Sequence, residues 1–288
     1  MPSELLDATP LEPATAPRQT LRQGLDPKAV LIAGLLHVLA FVTPLLFWPT
    51  WDRVALCVAL YVVRVLGVTV GFHRYFSHRA FETSRWFGAV LAFWGGLAAQ
   101  RSAVWWAAHH RVHHRRSDLP GDVHSPVEGS LFWAQMGWWL DASSEQTRWA
   151  AVKDWADRPE LQWLDRHHLV PQTLLALGQY AAGGWAYVLW GWALNTVLVW
   201  HGLSLLNSWC HRWGSRPFAT KDNSRNSFVV GVLAMGEGWH NNHHRYPASP
   251  RHGLRWWQID VSWWVIRALS LVGLVRKLQP VPAPASQP

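Results

Sequence analysis

A chain of 288 residues that is 50% hydrophobic, 15% charged and holds 23 tryptophans departs from soluble-domain composition. Scarce charge with abundant indole, which favours the lipid–water boundary, points to a membrane protein even though mean hydropathy is near zero. The formal charge of +8 would suit nucleic acid, but apolar spans without a recognition motif set that partner aside, and Cys57 and Cys210, in or beside apolar segments, frame no disulfide network.

In chain order, residues 1–27 carry Pro, Glu, Asp and Arg without an apolar run and read as a disordered tail lacking a cleavable signal peptide. A hydrocarbon core about 30 Å thick needs roughly 20 apolar residues as helix. Segments 29–48 and 54–72 meet that length, 168–185 is somewhat short, and 186–207 meets it again. Segment 86–99 is too short to cross and reads as interfacial or re-entrant, like the Trp-rich pieces 130–140 and 255–275. Residues 278–288 form a Pro-rich tail. The fold class expected is therefore all-α integral membrane, one domain over 28–277 with four transmembrane helices and a helical cap.

Basic residues orient it. Arg18, Arg22 and Lys28 precede the first span, dense series run from Arg74 to Arg166 and from Arg212 to Lys277, and the opposite side holds only Arg53. Both termini and the cap are thus expected in the cytoplasm, beside anionic membrane lipid. Arg64, inside the second span, is costly to bury without a partner.

The 16 histidines fall in boxes. His73 and His78 follow span two; His110, His113 and His114 form H-R-V-H-H; His240, His243 and His244 form H-N-N-H-H; Asn207 and His211 repeat the i, i+4 spacing at the end of span four. Positions i, i+3 and i+4 share a helix face, so each triplet is expected to aim three imidazoles at one place. Nine imidazoles exceed one tetrahedral zinc site and suit two metals, whose identity imidazole does not decide. A metal transporter or sensor is the non-enzymatic alternative, although transporters place ligands near the bilayer midplane.

The stretches "GFHRYFSHRAF" (71–81), "HRVHH" (110–114), "NSWCH" (207–211) and "GEGWHNNHHRYP" (236–247) resemble the integral-membrane fatty acid desaturases, in particular the acyl-CoA Δ9 (stearoyl-CoA-type) branch. The resemblance implies a non-haem centre of two iron ions ligated by His73, His78, His110, His113, His114, His211, His240, His243 and His244, with Asn207 reached through water. It implies O₂ as co-substrate and a long-chain acyl substrate given a cis double bond, most simply at Δ9. An acyl hydroxylase on the same scaffold, or a desaturase acting on phospholipid acyl chains, is the alternative. Without a haem domain or a CxxC pair, electrons are expected from ferredoxin, rubredoxin or cytochrome b5 with a reductase, and the location is a cell membrane, most simply a bacterial plasma membrane.

Gln100 and Trp106 match positions along the family's bent acyl tunnel, and Arg101, Arg115 and Arg116 are candidate phosphate contacts. The family's Arg-Asp pair before the second box is Ala108-His109 here, and its tryptophan three residues before the Asn ligand is Ser204. His109, His124, Asp122 and Glu237 are candidates to support the ligands or the headgroup. His167, His168 and His252 read as interfacial.

Overall fold

The computed structural model describes residues 23–281; the tail with Arg18 and Arg22, and the Pro-rich end from 282, lie outside the described residues. Asp26 caps α1 (Pro27–Leu46) by accepting the Lys28 amide, and Pro27 sits in the first turn, where a missing N–H is harmless. This helix buries only Ala33, Leu36, Ala40 and Thr43 and leaves Leu31, Ile32, Leu35 and Phe41 exposed, a surface suited to hydrocarbon rather than water.

Helix α2 (Trp51–Leu66) continues into a π-helical stretch, Gly67–Ser77. Close packing explains its glycines: a Cβ on Gly67 would stand 2.7 Å from the Trp94 carbonyl oxygen, and one on Gly71 2.9 Å from that of Leu91. Both contacts come from α3 (Arg85–Gly96), which buries Phe87, Leu91 and Ala92 and exposes Trp86, as a short helix seated against the span does. Ser102 caps α4 (Ala103–Arg116), whose Ala103, Ala107 and Ala108 join Phe72, Phe76 and Trp155 in the core.

Arg64 is fully buried, and its partners are neutral: it donates to the Leu97 carbonyl, Asn195 Oδ1 and Thr196 Oγ1, each at 2.7 Å. Three oriented acceptors replace the water a buried guanidinium would otherwise lose.

After α5 (Pro159–Arg166), α6 (Val170–Val188) runs through a π-helical stretch, Leu189–Leu194, into α7 (Asn195–Ser208). Three helices are long and apolar enough to cross a membrane: Pro27–Leu46, Trp51–Ser77 and Val170–Ser208. The sequence suggested four. The third is not continuous, because Gly183 and Gly184 leave helical geometry, Gly184 at φ +62°, ψ −154°, a conformation open essentially to glycine. The chain folds back there. A Cβ on Gly191 would lie 2.9 Å from the Gln179 amide, whereas a straight helix would separate those residues by about 18 Å.

Short helices α8 (Phe228–Leu233), α9 (His240–Arg245) and α10 (Val261–Leu271) complete the cap, and β1 (Glu82–Thr83) pairs antiparallel with β2 (Val275–Arg276). The turn before α9 needs its glycines. Gly236 has φ +114°, and a Cβ there would strike the Asp260 carboxylate. That turn directs Glu237 inward and starts α9 against the end of α2.

Candidate metal centre

The π-helical stretch first solves a spacing problem. On an α-helix, His73 and His78 would point about 140° apart. Here the His78 amide donates to the His73 carbonyl, an i to i+5 bond, so both rings come to one side, 4.9 Å apart. Helix α4 brings His110, His113 and His114, the end of α7 brings His211, and α9 brings His240, His243 and His244.

The nine histidines form two groups rather than one. His73, His78, His110, His114 and His243 make the first, and His113, His211, His240 and His244 the second; within each, one nitrogen per ring lies within 4.8 Å of the others. Each triplet therefore divides. The i, i+4 pairs His110/His114 and His240/His244 stay together, while the i+3 members His113 and His243 serve the other group. Adjacent residues of a helix diverge by about 100°, so His113 and His114 reach different centres from neighbouring positions.

Four carboxylates fix the rings. Nδ1 of His113 donates to Asp122 at 2.8 Å, of His211 to Asp118 at 3.0 Å and of His244 to Asp222 at 2.6 Å, and Nδ1 of His73 lies 2.6 Å from Glu237 Oε2 as an ion-pair contact. A proton held on Nδ1 leaves a lone pair on Nε2. Burial alone would raise Asp118, Asp122, Asp222 and Glu237, but their histidine partners outweigh it and hold all four below the usual carboxylate range. Burial, reinforced by neighbouring imidazoles, holds His110, His114, His240 and His243 well below the ordinary imidazole value, so these rings are neutral.

Imidazole nitrogens this close are held together by a shared proton or by a shared cation. Nε2–Nε2 separations are 2.8 Å for His78/His110, 3.0 Å for His114/His243 and His211/His240, and 3.1 Å for His73/His243 and His240/His244. Two nitrogens about 2.1 Å from one cation lie about 3.0 Å apart at a right angle and about 3.4 Å apart at the tetrahedral angle. The donor set thus fits metal ions of higher coordination number than structural zinc. Buried His113 Nε2 has no hydrogen-bond partner among the described residues, as a ligand atom would not.

A cavity of about 590 Å³ abuts both groups, its wall including His73, His113, Leu36, Val68, Leu203 and Ser204. Asn207 and His240 both line this cavity. Gln100, Arg101 and Trp106 also line it; Trp106 donates to Gln100 Oε1 at 3.0 Å and stacks on His110. Arg115 and Arg116 do not reach it. Asp122 and Glu237 stand on ligand-type rings, and His109 and His124 are buried in the cavity wall.

Sequence reading misplaced His252, which is buried against His73 and His243 and shares Glu237, its Nδ1 lying 3.1 Å from Oε2. His168 lines the cavity, and only His167 of those three is exposed. Asp118, Asp222 and the buried ion network of Arg74 with Glu237 and Asp260 were missed, since no fixed spacing ties a carboxylate to the ring it holds. Their one signal was acids just after a box, as in "SDLPGD".

Residues 49–271 match the family model described as fatty acid desaturase. The chain is 37% identical over 256 residues to an Arabidopsis thaliana protein named palmitoyl-monogalactosyldiacylglycerol delta-7 desaturase, chloroplastic, covering 88% of this chain and 68% of that one. It is 38% identical over 255 residues to the acyl-CoA C20 Delta5-desaturase of Anemone leveillei, covering 87% and 80%. It is 37% identical over 255 residues to an sn-2 palmitoyl-lipid 9-desaturase of Nostoc sp., covering 86% and 88%. With its boxes gathered around one cavity, the chain belongs to the fatty acid desaturase family.

Proposed function

We propose that the protein is an O₂-dependent, di-iron desaturase that places a cis double bond, most simply at Δ9, in a long-chain acyl ester or thioester. The observation that carries this is the pair of histidine groups facing a largely apolar cavity of about 590 Å³. His73, His78, His110, His114 and His243 would hold one iron, and His113, His211, His240 and His244 the other, with Asn207 beside the second. Metal ligation requires neutral imidazoles, so Asp118, Asp122, Asp222 and Glu237 would then give the centre a formal charge of −4, which two divalent cations would balance; buried Arg74 and Asp260 cancel each other.

Bound iron with O₂ would supply the oxidant for unactivated C–H bonds. Two hydrogens leave adjacent methylenes, and with two electrons and two protons from outside, O₂ becomes two waters. The chain's own residues position and shield. Val68, Leu203 and Trp106 exclude water beside the ligands, and the Gln100–Trp106 hydrogen bond fixes the wall against which the acyl chain would bend. An alkane methylene has no acidic handle, and the arrangement accordingly contains ligands and their supports rather than an acid–base pair.

Ferredoxin, rubredoxin or cytochrome b5 would deliver the electrons. Two of the relatives named above act on lipid-linked chains and one on acyl-CoA, so both carriers suit the family. We place the membrane domain over 28–277, with four crossings because the reversal at Gly183–Gly184 sets residues 170–182 antiparallel to residues 185–208, and with a cytoplasmic metal site because the basic residues flank the histidine boxes. Expression in a host without its own desaturase, followed by location of any new double bond, tests the reading. Unchanged lipids despite bound iron and a competent reductant would overturn it, and a hydroxylated product would replace desaturation by hydroxylation.

A further inference from the structure

The second histidine box carries an arginine for which the metal groups have no direct use. Arg111 stands between His110 and His113 on α4, about 100° around the helix from His110, and its guanidinium reaches the end of the π-helical stretch. Its side chain is 11% exposed, and all five of its N–H groups are engaged. Nε donates to the Ser77 carbonyl at 2.9 Å. Nη2 donates to the Phe76 carbonyl at 2.7 Å and to Asp154 Oδ2 at 3.0 Å. Nη1 donates to Asp154 Oδ1 at 2.7 Å and to the Ala151 carbonyl at 3.2 Å. Trp155 Nε1 adds a second donor to the Phe76 carbonyl at 2.9 Å.

Those two carbonyls lie where the stretch most needs help. A helix leaves its last carbonyls without intrahelical partners, and π geometry is seldom kept for more than a turn. Gly67–Ser77 keeps it for 11 residues. Its closing bonds, from the His78 and Ala80 amides to the His73 and Arg74 carbonyls, bring His78 to the side of His73. Relaxation of that turn to α geometry would carry the two rings about 140° apart. Arg111 fills the orphan carbonyls and ties them to α4. The two elements it joins supply His73, His78, His110 and His114 of the first group, and only His113 of the second.

Resting on the two-metal reading above, we propose that Arg111 is a positioning residue for the first metal, holding the π-helical end in register with α4 so that His78 and His110 meet one ion. Asp154 holds the guanidinium in turn, through both carboxylate oxygens. Lysine cannot take its place, because a single ammonium lacks the planar fork that spans two carbonyls and a carboxylate.

Hydrogen exchange and metal titration test this on the full-length protein in lipid nanodiscs. Without iron, Arg111→Lys should speed exchange of the His78, Arg79 and Ala80 amides about tenfold or more and leave the α9 amides as in wild type. With iron bound, a chelator should withdraw one metal per chain about tenfold more readily or better, and the other as in wild type. Asp118 holds His211 in the second group, so Arg111→Lys combined with Asp118→Asn should release both metals early. Asp154→Asn keeps the two carbonyl bonds and loosens only the fork, so it should move both readouts the same way by less. Arg85→Met removes an exposed ion pair with Glu160 and should move neither. Exchange unchanged at His78–Ala80 in both Arg111→Lys and Asp154→Asn, or raised equally across α9, overturns the clamp. Both metals released together by Arg111→Lys alone, or a double variant that keeps one metal as firmly as wild type, overturns its assignment to the first group. Wild-type protein that binds no metal would overturn the two-metal reading instead, and the exchange result on the iron-free chain would stand.

Discussion

Asp118→Asn separates what a carboxylate does for a ligand-type histidine from what it does for the backbone. Asp118 has φ +59°, a left-handed conformation that asparagine also tolerates, so the loop needs no adjustment. Its Oδ2 accepts from His211 Nδ1 at 3.0 Å and from the Asn223 amide at 2.7 Å, while Oδ1 accepts from Ser125 Oγ at 2.6 Å. An asparagine can keep its oxygen toward His211 and Asn223, while its amide meets Ser125 Oγ, which already accepts from the Val127 and Glu128 amides and so loses only its own acceptor. The bonds to His211 and Asn223 survive, and the negative charge does not. Loss of that charge makes His211 Nε2 a weaker donor to metal, by about ten- to a hundredfold in affinity, or about 1.4–2.8 kcal/mol. Only the second group contains His211, so metal analysis of purified protein titrated with a chelator should show one metal per chain leaving early and the other leaving as in wild type. Glu237→Gln should weaken the first group instead, because Glu237 holds His73. If Asp118→Asn released both metals together, or neither more readily, the assignment of separate carboxylates to separate centres would fail.

Two further outcomes follow from burial. Arg64→Met strands the Leu97 carbonyl and Asn195 Oδ1 inside the bundle, and thermal unfolding in detergent should show a loss of about 2–4 kcal/mol; an unchanged or higher melting temperature would refute the role given to those acceptors. Metal-free protein should lose stability on acidification. Burial holds His110, His114, His240 and His243 well below their ordinary value, so the unfolded chain takes up protons that the folded site refuses. That stability is complete above about pH 6.5 and declines as pH falls through it. Asp118, Asp122 and Asp222, depressed by their histidine partners despite burial, add a second loss below about pH 4, whereas a melting temperature flat between pH 8 and 5 would contradict the neutral-ring assignment.

What the sequence made legible and what it did not divide along physical lines. Apolar runs and histidine spacing are local properties, so α1, α2 and the nine convergent rings could be read directly. Helix α6 with α7 was readable as two apolar segments, yet the reversal depends on two adjacent glycines whose backbone conformation no hydropathy pattern reports. Asp118 and Asp222 were least legible, because a hydrogen bond such as that between Asp118 and His211 joins residues 93 apart through tertiary folding alone. The triplets show the same limit at closer range. A shared helical face correctly gathers His110, His113 and His114, but a face about 100° wide can serve two centres once the opposing helix brings a matching triplet. α9 does so, and each triplet gives its i, i+4 pair to one group and its i+3 member to the other. The interleaving ties both centres to both helices. Displacing α9 would therefore disturb the two groups together, whereas a change in one carboxylate need disturb only the group whose ring it holds. That contrast is what separates Asp118→Asn from a mutation that merely loosens the cap.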